Sequence, residues 1–337
     1  MVTYNSEPTL HRVLTALLGD PDRPEKVVVV DNGSSDNTKK IVGAFGVELI
    51  EAPENVGFAA GCHLGVAHSL QPIIVLLGHD TVPKPGWLSP LISVLDDPSI
   101  GAAMATIEDA QNPGLFNTSG GHLTYFGLAW LSGAGDRVDD RDEVIDVAFP
   151  SGAAMAMRRD TWDRFGGFRP EFFMYHEDSD LGWRLRLADL RAVRVAKSIV
   201  HHHYEFDRNP DKMFWLERNR LLMILSNYRR RTLIALSPAL LAVELGVTWI
   251  AIRDRWIGQR ARAWNAVWRE RRLIRQGRSL AEQNRKIGDS DLLRTLEYQV
   301  STASQVALPG GAIVVGRVLG AYRDLVLPLI RLLDRFG

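Results

Sequence analysis

Lys26-Val27-Val28-Val29-Val30-Asp31 limits the possible folds more than any other stretch of the chain. Four consecutive β-branched residues without polar alternation are the signature of a strand buried on both faces of a parallel sheet. The run breaks at Asn32-Gly33, a strong turn signal, and Ser34-Ser35-Asp36 can cap a helix beginning near Asn37. Before it, Val2-Thr3-Tyr4-Asn5 reads as the end of a strand. Leu10, Val13, Leu14, Leu17 and Leu18 then recur at helical spacing, with Ser6 or Thr9 as caps. Val47–Ile50 is a further short strand, Gly57–Gly61 leads into a helix, and Pro72–Leu77 is a third buried strand ending at Gly78-His79-Asp80. Strand and helix alternate, so this half predicts an α/β fold with a mostly parallel central sheet.

Ligands of such sheets bind at the carboxyl ends of the strands. Asp31 and Asp80 each sit at or just beyond such an end. A lone Asp there is often only a turn former; two on neighbouring strands, with a third acidic cluster downstream, point to a site. Ile100–Ile107 reads as a strand, and residues 112–142, rich in Gly and Asp, read as a long loop or lid. Pro150–Met157 is a strand of small residues, around Gly152, that permits close approach of backbone to ligand.

The acidic cluster is Glu171, Glu177, Asp178 and Asp180, four carboxylates within ten residues. Phe172, Phe173 and Tyr175 lie among them, and a basic helix containing Leu181, Trp183, Arg184, Leu185, Arg186 and Leu187 is expected to start near Ser179. An acidic helix cap is one reading, since the dipole favours carboxylates there. A general base in a partly dry cleft is the other. His201-His202-His203 follows, where a neutral imidazole near carboxylates suits a divalent metal.

The 337 residues allow one large domain, or a catalytic domain with an appendage. Formal net charge is zero, but unevenly spread. Residues 1–204 hold 17 Lys/Arg against 27 Asp/Glu, a net of −10, and residues 205–337 hold 23 against 13, a net of +10. Metal or substrate chemistry in the first half and an anionic partner for the second follow from that split. A single cysteine, Cys62, excludes an intramolecular disulfide and a cysteine-based zinc finger. No leader is legible at Met1, so the cytoplasmic side is expected.

In the basic half, residues 214–228 are amphipathic and contain Glu217-Arg218-Asn219-Arg220, while Thr232–Ile252 is mostly apolar and long enough to span a bilayer. Pro238 and Glu244 argue against lipid on all sides. Arg253–Arg275 places Ile257, Ala261, Trp264 and Trp268 on one face with arginines elsewhere, and Ala312–Leu333 is a last apolar segment. Trp and Arg on a strongly amphipathic helix fit the membrane interface. A soluble helical bundle or a homo-oligomer interface is the competing reading. Long apolar segments between the arginines favour lipid over nucleic acid.

In order along the chain stand Val2-Thr-Tyr-Asn5, Val30-Asp31-Asn-Gly-Ser-Ser-Asp36, Glu54-Asn-Val-Gly-Phe-Ala-Ala-Gly61, Leu76-Leu-Gly-His-Asp-Thr-Val-Pro83, Ser151-Gly-Ala-Ala-Met155, Gly166-Gly-Phe168, Phe172-Phe-Met-Tyr-His-Glu-Asp-Ser-Asp-Leu181 and His202-His203. By these motifs the chain resembles bacterial family 2 glycosyltransferases, particularly the rhamnosyltransferase-like branch, over about residues 1–228. The resemblance implies a GT-A catalytic domain over 1–228, and residues 229–337 read, from their own pattern, as a helical membrane-associating region. It implies inverting, Mg2+- or Mn2+-dependent transfer of a sugar from a TDP- or UDP-linked donor to a glycan or polyprenyl-linked acceptor. Carried over residue by residue, Thr3, Asn5 and Asp31 line the nucleoside pocket, and Asn55, Gly61 and Gly152 lie along the donor. Asp80 holds the metal with His202 or His203, and Asp178, second of the Glu177-Asp178 pair, is the general base. Expected localisation is the cytoplasmic face of the cell membrane.

Two departures stand out. Gly78 replaces the first acidic position of the family's Asp-x-Asp motif, which weakens metal affinity, and the first strand lacks about four to six residues of the family pattern. Both leave open a degenerate nucleotide-sugar-binding protein. A dinucleotide-binding oxidoreductase is disfavoured, because no Gly-x-Gly-x-x-Gly follows a strand.

Overall fold

The computed structural model describes residues 1–138, 144–203, 211–299 and 312–335. Residues 139–142 of the expected lid lie outside that set. The chain divides into two compact units: Met1–Gly121, Leu131–Gly182 and Leu190–Phe206 form the first, and His122–Trp130, Trp183–Asp189 and Asp207–Gly337 the second.

The first unit opens with β1 (Val2–Thr3), α1 (Glu7–Gly19), β2 (Val28–Asp31), α2 (Thr38–Phe45), β3 (Glu48–Glu51) and α3 (Gly57–Ala67). β1, β2 and β3 form a parallel sheet in which Val30 lies beside both Val2 and Ile50. The valine run is there because it can be covered: Val29, Leu10, Leu14 and Val42 are fully buried together. Each such side chain contributes roughly 1.5–3 kcal/mol by leaving water.

Next come β4 (Ile73–Leu77), β5 (Thr81–Pro83), α4 (Leu88–Ser93), β6 (Ile100–Asp109), β7 (Phe116–Thr118), β8 (Gly120–Leu123), β9 (Ala129–Ser132) and β10 (Val144–Val147). β11 (Ala154–Arg158), α5 (Arg159–Phe165), α6 (Glu177–Leu187) and β12 (Arg191–His202) follow. A seven-stranded sheet runs β10-β12-β6-β11-β4, with β5 on β12 and β7 on β6. β6 and β12 are parallel, whereas β11 is antiparallel to both β4 and β6.

Several expectations change. β4 pairs with β11 and not with the β1–β3 sheet, so Asp31 and Asp80 do not end neighbouring strands of one sheet. An apolar cavity of about 320 Å³, lined among others by Val2, Val28, Val30, Cys62, Ile74 and Leu76, occupies the space between β2 and β4. Residues 112–142 are not one loop: β7 joins the large sheet, and β8 and β9 form a two-stranded sheet. Gly120 and Gly121 hid this from the sequence; each lacks the side chain that marks a strand, because Val147 and Phe149 fill the space where a Cβ would stand.

The second unit's long helices are α7 (Lys212–Asn227), α8 (Arg230–Arg253), α9 (Ile257–Arg269), α10 (Arg271–Gln283), α11 (Asp289–Thr295) and α12 (Ala312–Asp334). The boundary expected at 228/229 falls between α7 and α8 within this unit. The single helix expected over 253–275 is broken at Glu270, and α9 begins only at Ile257.

The interior of this unit is unusually charged. Arg220 Nη2 reaches Glu217 Oε2 at 3.0 Å and Glu244 Oε1 at 2.5 Å, and Arg260 pairs with both Glu217 and, at 2.6 Å, Glu244. The four side chains come from three helices, α7, α8 and α9, so the cluster clasps them together. Among the described residues one helix, α8, is long and apolar enough to cross a membrane by length and composition, and only 17% of its most apolar window is buried.

Candidate active site

The donor end is built where β1 and β2 stop. Thr3 and Asp31 are adjacent in the parallel register, and Thr3 Oγ1 donates to Val30 O at 3.2 Å and to Asp31 Oδ1 at 3.5 Å. Ser34 N–H donates to Asp31 Oδ2 at 3.1 Å, so the turn after the valine run fixes this carboxylate. Asn5 sits in the left-handed region at φ 49° and accepts from Ser35 N–H at 2.9 Å, while its own N–H donates to Ser34 Oγ. Thr3, Asn5 and Asp31 therefore converge on one turn.

Asn55 and Gly61 are placed differently from each other. Asn55 Oδ1 accepts from Gly57 N–H at 3.0 Å and shapes the entry to α3. Gly61 faces inward, where a Cβ would stand 2.8 Å from Val2, so its smallness seats α3 on β1. Gly57 is held at φ +86°, and a Cβ there would meet Phe173 at 2.5 Å. Ala59 N–H donates to Phe173 O at 3.1 Å, which ties this donor-side helix to the loop preceding the acidic pair.

Asp80 follows β4 and His202 ends β12. The antiparallel β5–β12 register sets His202 opposite Thr81, and His202 Nε2 comes within 3.4 Å of Asp80 Oδ1. Its Nδ1 lies 3.0 Å from Asn117 Oδ1, a partner that was invisible in a stretch taken for loop. Burial pushes the Asp80 carboxyl up, but the hydrogen bond to His202 and the charges of His202 and His79 outweigh it and bring its pKa down to about 2. His203 instead contacts Arg12, with Nε2 2.9 Å from Nη1, and burial together with that guanidinium lowers its pKa. His201 lies 3.1 Å from Glu108. Of the three histidines, His202 is the one whose side chain pairs with the Asp80 carboxylate, while His203 N–H donates to Asp80 O at 2.9 Å. Where Gly78 stands, a Cβ would lie 2.7 Å from the Thr81 hydroxyl and 2.9 Å from the Asp80 carboxylate, so those groups fill the space of the missing side chain.

Of the four downstream carboxylates, two are occupied. Arg169 reaches Glu171 at 2.8 Å and Asp180 at 3.8 Å, and it also covers the Phe172 ring. Glu177 and Asp178 begin α6, two residues earlier than expected, because the carboxylates themselves serve the first turn. Phe173, Tyr175 and His176 all have positive φ just before them, a strained approach of the kind found at functional sites. Glu177 is buried, its Oε2 has no hydrogen-bond partner, and burial followed by the neighbouring Asp178 charge raises its pKa well above the carboxylate range. Asp178 accepts from Ser179 N–H at 2.7 Å and from the Gly152 N–H. Burial raises its pKa to about 6, against those hydrogen bonds.

Gly152 thus holds Asp178 through its backbone amide. The same turn meets the Asp80 loop, since Gly78 N–H donates to Ala153 O at 2.8 Å. One short segment, 151–153, links the Asp80 loop to Asp178. No group of three or more His, Cys, Asp or Glu able to hold a metal occurs among the described residues. An Asp–His pair is nonetheless a fitting donor set for a cation that takes its remaining ligands from substrate phosphates and water.

The fold is the GT-A fold. The fold is shared with GalNAc-T7, solved with UDP, GalNAc and Mn2+, at a TM-score of 0.58 and 14% identity over 72% of this chain and 50% of that one. It is shared also with residues 1–349 of S. aureus TarS in complex with UDP, at 0.51 and 14% identity over 92% and 96%. Residues 1–165 match the family model "Glycosyl transferase family 2". An N-acetylglucosaminyl-diphospho-decaprenol L-rhamnosyltransferase of Mycobacterium tuberculosis is 27% identical over 231 residues, covering 60% of this chain and 74% of the relative. The O-antigen chain rhamnosyltransferase RfbN of Salmonella typhimurium is 24% identical over 208 residues, covering 60% and 65%.

Proposed function

We propose that this chain moves rhamnose or a related hexose from a TDP- or UDP-linked donor to a hydroxyl of a lipid-linked or cell-envelope glycan, with inversion. The observation that carries the reading is Asp178: a carboxylate with its pKa raised towards neutrality, held by the Gly152 amide and Ser179. A base tuned to that range takes a proton from an acceptor hydroxyl without staying protonated itself. Inversion needs a single displacement and one base. Burial and the neighbouring Asp178 charge raise the pKa of Glu177, which opposes a second negative charge beside the base.

Thr3, Asn5 and Asp31 receive the nucleoside, with Asn55 shaping the loop that follows the nucleotide. Asp80 and His202 would hold Mg2+ or Mn2+, which when bound neutralises the departing diphosphate. Asp80, with its pKa brought down to about 2, stays ionised at neutral pH, as a metal ligand must. The relative's name, a diphospho-decaprenol rhamnosyltransferase, supports a lipid-linked acceptor, which we place at the cytoplasmic face of the cell membrane.

A thermal-shift panel of UDP, TDP, GDP and CDP, each with and without Mn2+ or Mg2+, tests the donor half of this reading. One nucleotide is expected to raise the melting temperature by several degrees, in a metal-dependent way, because a ligand that binds only the folded chain stabilises it by mass action. Asp80→Ala is expected to remove the metal dependence and to lower the unliganded melting temperature by several degrees, since it also removes the contact with His202. A shift of equal size with chelator present would sink the metal assignment.

A further inference from the structure

The second unit wears its polarity inside out. In α9, Arg260 is 2% exposed while Trp264 is 50% and Trp268 69% exposed. In α8, Glu244 is drawn into the charged cluster while Ile234, Leu241, Leu245, Trp249 and Ile252 lie open to the outside. At 100° per residue those five fall within about 80° of one another, opposite the buried Leu236, Ala239 and Val243. α12, which touches α8 through the Tyr322 hydroxyl on Ala235 O, repeats the pattern with Val314, Val318, Leu325, Leu329 and Leu332 exposed. Stripes this long on a water-facing bundle are costly, and they call for a cover.

We infer that the cover is an anionic lipid bilayer, and that α8 lies in its surface plane instead of crossing it. This rests on the glycosyltransferase reading only for its purpose, which is to bring a lipid-linked acceptor to the protein. Charge selects lipid over a second copy of the chain: with Arg260 buried against Glu217 and Glu244, residues 253–275 keep seven Arg against Asp254 and Glu270, a surplus of five positive charges beside the exposed tryptophans. Two copies would bring those arginines together, whereas anionic headgroups neutralise them. Tryptophan rings and guanidinium groups at one level are the pairing that the headgroup layer accommodates. Crossing is opposed by the Glu217–Arg220–Glu244–Arg260 cluster, which fixes α7 and α9 against the middle of α8 and would carry four charged groups into the hydrocarbon.

The test uses the full chain with vesicles of phosphatidylcholine alone and of phosphatidylcholine with phosphatidylglycerol, read by co-sedimentation and tryptophan emission. Binding with a blue shift is expected on the anionic vesicles, weakened at least about tenfold by Leu241→Asp with Leu245→Asp. The nucleotide-induced thermal shift serves as the control that the double variant is folded, and it is independent of vesicle binding. For orientation, Arg230→Cys and Asp254→Cys at the two ends of α8 are each labelled with a membrane-impermeant maleimide, Cys62 being buried. Both ends are expected to react from outside. Protection of one end would overturn the in-plane placement. Absence of binding, equal binding to both vesicle types, or a stable dimer that the same substitutions dissociate would overturn the bilayer.

Discussion

Replacing Asp178 with Asn is expected to lower the transfer rate by about three orders of magnitude and to leave the nucleotide-induced thermal shift intact. The amide keeps the shape that Ser179 and Gly152 hold, but it cannot take a proton. Steady-state kinetics beside the thermal-shift assay separates the two effects. Equal loss of both would mean that Asp178 holds the donor and is not the base. In the unsubstituted protein, kcat/KM is expected to rise with pH through about 6, where Asp178 gives up its proton. Stability moves the other way over that range. Asp178 binds its proton more tightly folded than unfolded, so stability falls as the pH climbs from 3.8 towards 6. Asp80 behaves oppositely, its contribution being complete above 3.8 and lost as the pH falls towards 2.

The largest stability loss is expected from Glu217→Gln. Glu217 is 4% exposed and touches both Arg220 and Arg260, so its neutralisation leaves two buried guanidinium groups sharing Glu244 alone. Breaking one partner of a buried pair costs about 3–5 kcal/mol, which corresponds to a melting temperature lower by roughly 10 °C in a unit of this size. Differential scanning calorimetry measures it. A change under 2 °C would show that the cluster is not holding α7, α8 and α9 together. Exposed pairs such as Arg253–Asp254 are expected to matter little by comparison.

Much of the donor side was legible because its signals are local. A valine run followed by Asp31-Asn32-Gly33 states its strand, its turn and its carboxylate within a few residues, and Thr3 is set beside Asp31 by a simple parallel register. The acidic cluster could be found but not sorted. Which carboxylates are occupied depends on Arg169, two residues from Glu171 yet eleven from Asp180, and only the folded loop brings both to one guanidinium. Choosing His202 over His203 needed the β5–β12 register, since the two are chemically identical in sequence. Sheet membership was the least legible feature. Ile73–Leu77 reads as a buried parallel strand whichever neighbour it takes, and its partner β11 carries alanines that announce no direction. In the basic half, helical periodicity was evident, but a moment says only that two faces differ; that the arginine and not the tryptophan points inward is set by glutamates on other helices.

The cavity between β2 and β4 has a consequence of its own. Folded chains that enclose unfilled space occupy more volume than their opened forms, and compression favours the smaller state. The space of about 320 Å³ between the two strands is lined by Val28 and Val30 on one side and by Ile74 and Leu76 on the other. Hydrostatic pressure therefore acts on the packing of β2 against β4.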